Sequence, residues 1–182
     1  MTTDATSGRP RCAVFIATSL DGFIARADGA IDWLAAVERP GEDYGVAAFY
    51  GSVDALVMGR KSWETALGFP EWPYANMRVV VMSRHPREAR HGETFHAGPA
   101  AELVAALGRD GARRVYVDGG ETIRAFLAAG LVDELTVSVI PVLLGAGVPL
   151  FGDGVPETRL TLRESRAYES GLVQSRYDVG PR

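Results

Sequence analysis

Short apolar runs alternate with glycine, proline and charged clusters along the whole chain, and their periods predict alternating strands and helices. Cys12 to Thr18 is continuously apolar, as in a strand buried on both faces. Leu20 to Ile24 reads as a turn or short extension, and Arg26 to Gly29 as a polar turn. Glu42 to Gly51 places Val46, Phe49 and Tyr50 at helical spacing, which predicts an amphipathic helix. Asp54 to Met58 is the next strand. It passes into a helix over Lys61 to Leu67, with Trp63 and Leu67 on one face, which Gly68 to Pro73 breaks. Met77 to Met82 predicts a strand and Glu93 to His96 a short one. Ala100 to Leu107 is a helix closed by Gly108, and Arg114 to Val117 a strand. Glu121 to Ala129 is a helix with Ile123, Phe126 and Leu127 on one face and Gly130 as its stop.

Beyond that helix the pattern changes. Leu135 to Ile140 alternates as in a half-buried strand, and Leu160 to Tyr168 with Leu172 to Val179 flanks a turn at Glu169-Ser170-Gly171, which predicts a hairpin. A chain that begins as βαβ units and ends antiparallel predicts an α/β fold. Its central sheet is mostly parallel, with antiparallel C-terminal edge strands. The glycine-rich stretch Leu144 to Val155 follows a strand, and no amphipathic helix follows it, so it reads as an apolar connection. Met1 to Pro10 is polar and reads as a disordered lead-in, leaving residues 11–182 as a single domain.

Composition narrows the chemistry. The net charge of -4 gives no broad attraction to nucleic acid. Cys12 is the only cysteine, which excludes an internal disulfide and a zinc site built on several thiolates. His85, His91 and His96 form no metal-ligand spacing, so no metal is expected. The apolar runs are too short for a membrane span or signal segment, which makes a cytoplasmic protein the default.

The candidate chemistry sits where strands run into helices. At Met58-Gly59-Arg60-Lys61-Ser62 a glycine, two cations and a hydroxyl meet a helix start. There, unpaired backbone N–H groups and a partial positive charge suit a phosphate. A plain turn with solvated cations uses the same residues. Val117-Asp118-Gly119-Gly120-Glu121-Thr122 repeats the arrangement, although a tight turn also uses glycine. Val81-Met82-Ser83-Arg84 ends a third strand with a hydroxyl and a guanidinium. In a parallel sheet these ends share one rim, where ligands bind. Neither GxGxxG after the first strand nor GxxxxGK[ST] is present, which argues against a Rossmann dinucleotide domain and a P-loop ATPase.

Taken in order, Met58 to Glu64, Val80 to Arg84 and Asp118 to Glu121 resemble the dihydrofolate reductase superfamily. Ala17 to Ala25 and Val139 to Gly145 are closer to the reductase domain of bacterial riboflavin biosynthesis, the C-terminal domain of its deaminase-reductase. The resemblance covers roughly Ala13 to Val179. It implies a dihydrofolate reductase-like three-layer sandwich with NADPH as hydride donor. Gly59, Arg60, Lys61 and Ser62 would hold cofactor phosphates, and Ser83 and Arg84 would lie near the adenosine 2′-phosphate. Gly119, Gly120, Glu121 and Thr122 would meet the diphosphate, and Ala17 would lie beside the nicotinamide. The zinc deaminase half of the riboflavin enzyme needs HxE and PCxxC, which this chain lacks. The riboflavin reductase's basic substrate-phosphate stretch is replaced by the MGRKSWE form, which argues against a phosphoribosyl substrate.

The acid is open between two aspartates. Asp43 lies where the folate enzyme carries its pterin carboxylate, but Ala47 replaces an expected aromatic, and Asp43 also serves as a helix N-terminal charge. Asp21 would lie near the nicotinamide, and it also serves as a plain turn residue before Gly22. Trp33 is a pocket wall or a core tryptophan. The sequence thus predicts an NADPH-dependent reductase of a small heterocyclic or imine-like molecule. The alternatives are a riboflavin-pathway 5-amino-6-(5-phosphoribosylamino)uracil reductase and a nucleotide-binding module without turnover. A homodimer is expected from the apolar positions Leu135, Val137 and Val139 and their continuation Val142-Leu143-Leu144.

Overall fold

The computed structural model describes residues 8–180. Ten strands alternate with four α-helices. In chain order these are β1 (Arg11–Ser19), β2 (Phe23–Ala25), a 3₁₀ turn (Asp32–Val37), α1 (Val46–Tyr50), β3 (Ala55–Gly59), α2 (Arg60–Leu67), β4 (Arg78–Met82) and β5 (Thr94–His96). They are followed by α3 (Ala100–Arg109), β6 (Arg114–Asp118), α4 (Gly120–Ala128), β7 (Val132–Ile140), β8 (Val148–Pro149), β9 (Leu160–Ala167) and β10 (Val173–Val179). Eight strands form one sheet in the order β5-β4-β3-β6-β1-β7-β10-β9. Every pairing from β5 across to β7 is parallel. β10 is the inverted strand, antiparallel to both β7 and β9.

The apolar strands are buried on both faces because helices cover both. On one face Cys12, Val14, Val57, Val115 and Val117 pack with Leu103 and Leu107 of α3 and with Ile123 and Phe126 of α4. On the other, Ala13, Leu56, Met58 and Tyr116 pack with Phe49 of α1 and with Trp63 and Ala66 of α2. The period of two along each strand assigns its alternate residues to the two cores. The result is a three-layer α/β sandwich.

Several boundaries differ from the sequence reading, each for a local reason. The lead-in expected over Met1 to Pro10 lies outside the described residues up to position 7, but Arg9 and Pro10 belong to the fold. Arg9 forks onto Asp133 at 2.7 and 2.9 Å, and the same carboxylate accepts the Cys12 N–H at 2.7 Å. α3 does not close at Gly108. It runs on to Arg109, and Gly108 lets the N-terminal segment cross, since a Cβ there would stand 2.8 Å from the Gly8 carbonyl oxygen. The helix stops before Gly111, whose φ of +91° suits the left-handed end. The first amphipathic helix starts at Val46 rather than Glu42, because Tyr44 and Gly45 both adopt positive φ.

The reasoning behind the dimer also changes. β7 lies inside the sheet between β1 and β10, with Leu135 buried and Val137 and Val139 half-buried. Its alternation is therefore satisfied within the chain. Of the two edge strands, β5 and β9, it is β9 that exposes large apolar side chains, with Leu160 and Leu162 43% and 54% exposed.

Candidate cofactor and substrate site

The strand ends converge as the parallel topology requires. α2 starts directly after Gly59 and α4 directly after Gly119, and no side chain caps either helix. Their first-turn N–H groups are therefore left for an anion. The two starts also touch. A Cβ on Gly59 would stand 3.0 Å from Thr122 Oγ1, and one on Gly119 would overlap Ser62 Oγ. Gly119 has a φ of +87°, so glycine is needed there for conformation as well as space. Gly59, Ser62, Gly119, Gly120 and Thr122 thus meet in one cradle, where the first-turn N–H groups of the two helices and two hydroxyls are the kind of donors a dinucleotide diphosphate needs. Lys61 bridges the two helix starts through Glu121 at 3.1 Å, and Arg60 pairs with Glu64 at 2.6 Å. Both pairs are exposed and weak, so either cation can turn to a phosphate.

Gly59 pairs with Met82, which brings Ser83 and Arg84 out beside the start of α2. The Ser83 hydroxyl donates to the His85 carbonyl at 2.9 Å and accepts the His85 N–H. Arg84 is exposed and forms no ion pair among the described residues. The loop that follows is pinned by Glu93, whose buried carboxylate accepts N–H groups from Arg90, His91 and the Trp63 indole at 2.7–2.8 Å. Ala17 lies half-buried on β1 opposite Ser138 of β7, beside the small core of Trp33, Val37, Ile140 and Leu172. Trp33 is a core residue, although its indole N–H has no hydrogen-bond partner.

The two candidate acids are both occupied as acceptors. Asp21 takes the Ser19 hydroxyl at 2.5 Å and the N–H groups of Leu144 and Gly145 at 3.1 and 2.7 Å. It therefore clips the β1–β2 turn to the connection after β7. The Ser19 hydroxyl, followed by these N–H groups, lowers its pKa. Asp43 accepts from Ala47 N–H at 3.0 Å and Gly45 N–H at 2.9 Å, bonds that lower its pKa. It stands in the turn before α1, at the mouth of a groove of ≈ 520 Å³ that also reaches Phe15, Arg114, Glu134 and Arg176. The structure does not bring Asp43 to the phosphate cradle. A carboxylate held in this way favours its charged form and stores no proton near neutral pH.

A third carboxyl, read in the sequence only as the start of a glycine turn, has the opposite character. Asp118 ends β6 on the same face as Tyr116. Burial raises its pKa, and the Gly119 N–H and the Tyr116 hydroxyl only partly offset this. The Tyr116 hydroxyl lies 3.2 Å from both Asp118 Oδ1 and the Phe15 carbonyl oxygen. Tyr50 packs on Tyr116 and Tyr74, with ring centroids 6.0 and 5.9 Å away. The sequence signal was the alternation Arg114-Tyr116-Asp118, a polar row on one face of an otherwise apolar strand.

The three-layer sandwich, with a mostly parallel sheet and an inverted strand near one edge, is the dihydrofolate reductase-like fold. The family is narrower still: residues 10–174 match the RibD C-terminal domain, and the chain belongs to that family. It is 34% identical over 161 residues to the uncharacterized protein YwjB of Bacillus subtilis, covering 87% of this chain and 92% of that one. It is 31% identical over 170 residues to the riboflavin biosynthesis protein RibD of Corynebacterium ammoniagenes, covering 82% of this chain but 48% of RibD. Among solved structures, a Shewanella protein provisionally assigned to riboflavin biosynthesis superposes with a TM-score of 0.88 at 38% identity, covering 93% of this chain and 99% of that one. The Thermotoga maritima deaminase and 5-amino-6-(5-phosphoribosylamino)uracil reductase shares the fold, with a TM-score of 0.71 at 16% identity over 94% of this chain and 57% of its own. Among the described residues, no helix is long and apolar enough to cross a membrane.

Proposed function

We propose that the protein is an NADPH-dependent reductase that passes hydride to a small heterocyclic or imine-like acceptor, working in the cytoplasm where NADPH is supplied. The observation that carries this reading is the joined cradle at Gly59, Ser62, Gly119 and Thr122, where two uncapped helix starts lie against each other. Such a site takes a diphosphate through backbone N–H groups. Arg60, Lys61 and Arg84 supply more positive charge than one diphosphate needs, which favours a cofactor with a further phosphate. Bound there, the reduced nicotinamide would supply the hydride, and Ala17 offers it a small, half-buried neighbour on β1.

The chain's own residues divide the remaining work. Asp21 fixes the turn that walls the nicotinamide end. Asp118 is the carboxyl whose surroundings favour the neutral form, so it is placed to hold a proton for the acceptor. When Asp118 is protonated, it donates to the Tyr116 oxygen while Tyr116 donates to Phe15, which satisfies every member of the chain. A phosphoribosylaminouracil substrate fits the family equally well, given the likeness to RibD of Corynebacterium ammoniagenes. The test is to follow NADPH absorbance with purified protein against a panel containing that uracil, dihydrofolate and cyclic imines. NADPH that binds but is oxidised by none of these acceptors would leave a nucleotide-binding module instead.

A further inference from the structure

We infer that His91 is a positioning residue: its ring, stacked flat on Trp72, holds the loop between α2 and β4 in place and so keeps Tyr74 and Tyr50 beside the Asp118 carboxyl. This goes beyond the reductase reading but rests on it for where the acceptor lies. Residues 68–77 form no helix or strand. The loop's backbone bonds lie at its two ends, from Gly68 and Phe69 back to α2 and from Met77 to Tyr74. Among the described residues, no backbone N–H between positions 70 and 76 donates to another backbone group. Side-chain packing must therefore fix the middle of the loop, and Trp72 and Tyr74 are the side chains it turns inward.

The rings form an unbroken series from the surface to the carboxyl. The His91 and Trp72 centroids are 4.5 Å apart, with their planes at 10°. Trp72 meets Tyr74 edge to face at 5.2 Å, and Tyr74 and Tyr50 lie 5.9 Å apart. His91 is exposed, Trp72 half-buried and Tyr74 buried. Burial, followed by the Asp118 charge, raises the pKa of both Tyr50 and Tyr74, so both phenols stand within the field of that carboxyl. His91 itself has a fixed base. The two oxygens of Glu93 accept the N–H groups of His91 and Arg90 at 2.7 and 2.8 Å, and the same buried carboxylate accepts the Trp63 indole N–H from α2. Gly92, with a φ of +85°, turns the chain between them. An imidazole anchored from behind in this way restrains the indole it covers, and stacked rings add to the burial of their faces.

His91→Ala removes the clamp, whereas His91→Phe keeps a flat ring in its place. Hydrogen exchange of the full chain is read on the peptide over residues 68–77, with the peptide over α3 as the reference. Exchange over 68–77 should quicken by about three- to tenfold in His91→Ala, with α3 unchanged, and return to the natural rate in His91→Phe. With the acceptor of the panel that is reduced fastest, His91→Ala should raise KM by a similar factor at nearly unchanged kcat, and His91→Phe should restore it. NADPH affinity by calorimetry should be the same in all three proteins. Unchanged exchange over 68–77 in His91→Ala overturns the clamp, and faster exchange without a rise in KM overturns its role in positioning. If exchange responds as expected but NADPH is not bound or no acceptor is reduced, the clamp on the loop stands and the reductase reading falls.

Discussion

Replacing Gly119 with alanine probes the cradle at its tightest point. Gly119 has φ +87° and ψ 135°, a region that is essentially reserved for glycine. A side chain there costs about 1–3 kcal/mol in backbone strain alone. The new methyl would also overlap Ser62 Oγ, the rotatable end of a short side chain, and turning it aside adds about 0.5–1.5 kcal/mol. The sum is a loss of about 1.5–4.5 kcal/mol, a large share of the stability of a domain this size. Gly59 is the internal control. Its φ of -78° is ordinary, and its Cβ would meet only Thr122 Oγ1 at 3.0 Å, so Gly59→Ala should cost about 1 kcal/mol or less. Urea unfolding followed by circular dichroism measures both. Adding Ser62→Ala to Gly119→Ala should recover the overlap part and leave the strain part, a non-additive pair. A Gly119→Ala protein within about 0.5 kcal/mol of the natural sequence would refute the geometry.

Four further expectations follow from the same residues. Arg84→Ala or Arg60→Ala should narrow the preference for NADPH over NADH by about 1–3 kcal/mol, as read by fluorescence titration. Asp118 ionises more readily in the unfolded chain than in the folded one, so it lowers stability as pH rises from its ordinary 3.8 through its raised folded value. Asp118→Asn should therefore gain in melting temperature over the natural protein as pH rises across that window, with no gain at the acid end; an equal or negative difference at neutral pH would contradict the burial argument. Asp43→Asn should leave NADPH oxidation with any accepted substrate unchanged and dihydrofolate turnover weak, whereas strong dihydrofolate turnover lost in that variant would restore Asp43 as the acid. The protein should run as a homodimer in light scattering, associating through the open β9 edge with Leu160 and Leu162; Leu162→Lys should shift it to the single-chain mass, and a monomer at micromolar concentration refutes the dimer.

Much of this fold was legible because its central strands are short apolar runs bounded by polar and glycine turns, a pattern that suits a sheet covered on both faces. Met58 to Glu64 showed both the strand end and the helix start, since Gly59 punctuates them. The touching of the two starts was not legible, because it depends on β6 lying beside β3, a pairing across about 60 residues with no local signature. Asp43 was misplaced onto a helix because Val46, Phe49 and Tyr50 keep their helical spacing whether or not the turn before them is helical. Asp118 was hidden by its own motif: an aspartate before two glycines reads as a turn, and its character comes from Tyr50 and Tyr74, which belong to other elements. The 3₁₀ turn at Asp32–Val37 and the small β2–β8 pairing also escaped, as each is too short to carry a period.

The most direct test of the central claim is a calorimetric titration of the purified chain with NADPH and, separately, NADH. The cradle at Gly59 and Gly119 and the cations Arg60, Lys61 and Arg84 predict saturable NADPH binding at one site per chain, at least about tenfold tighter than NADH. Absence of NADPH binding, or equal affinity for the two, would contradict the account.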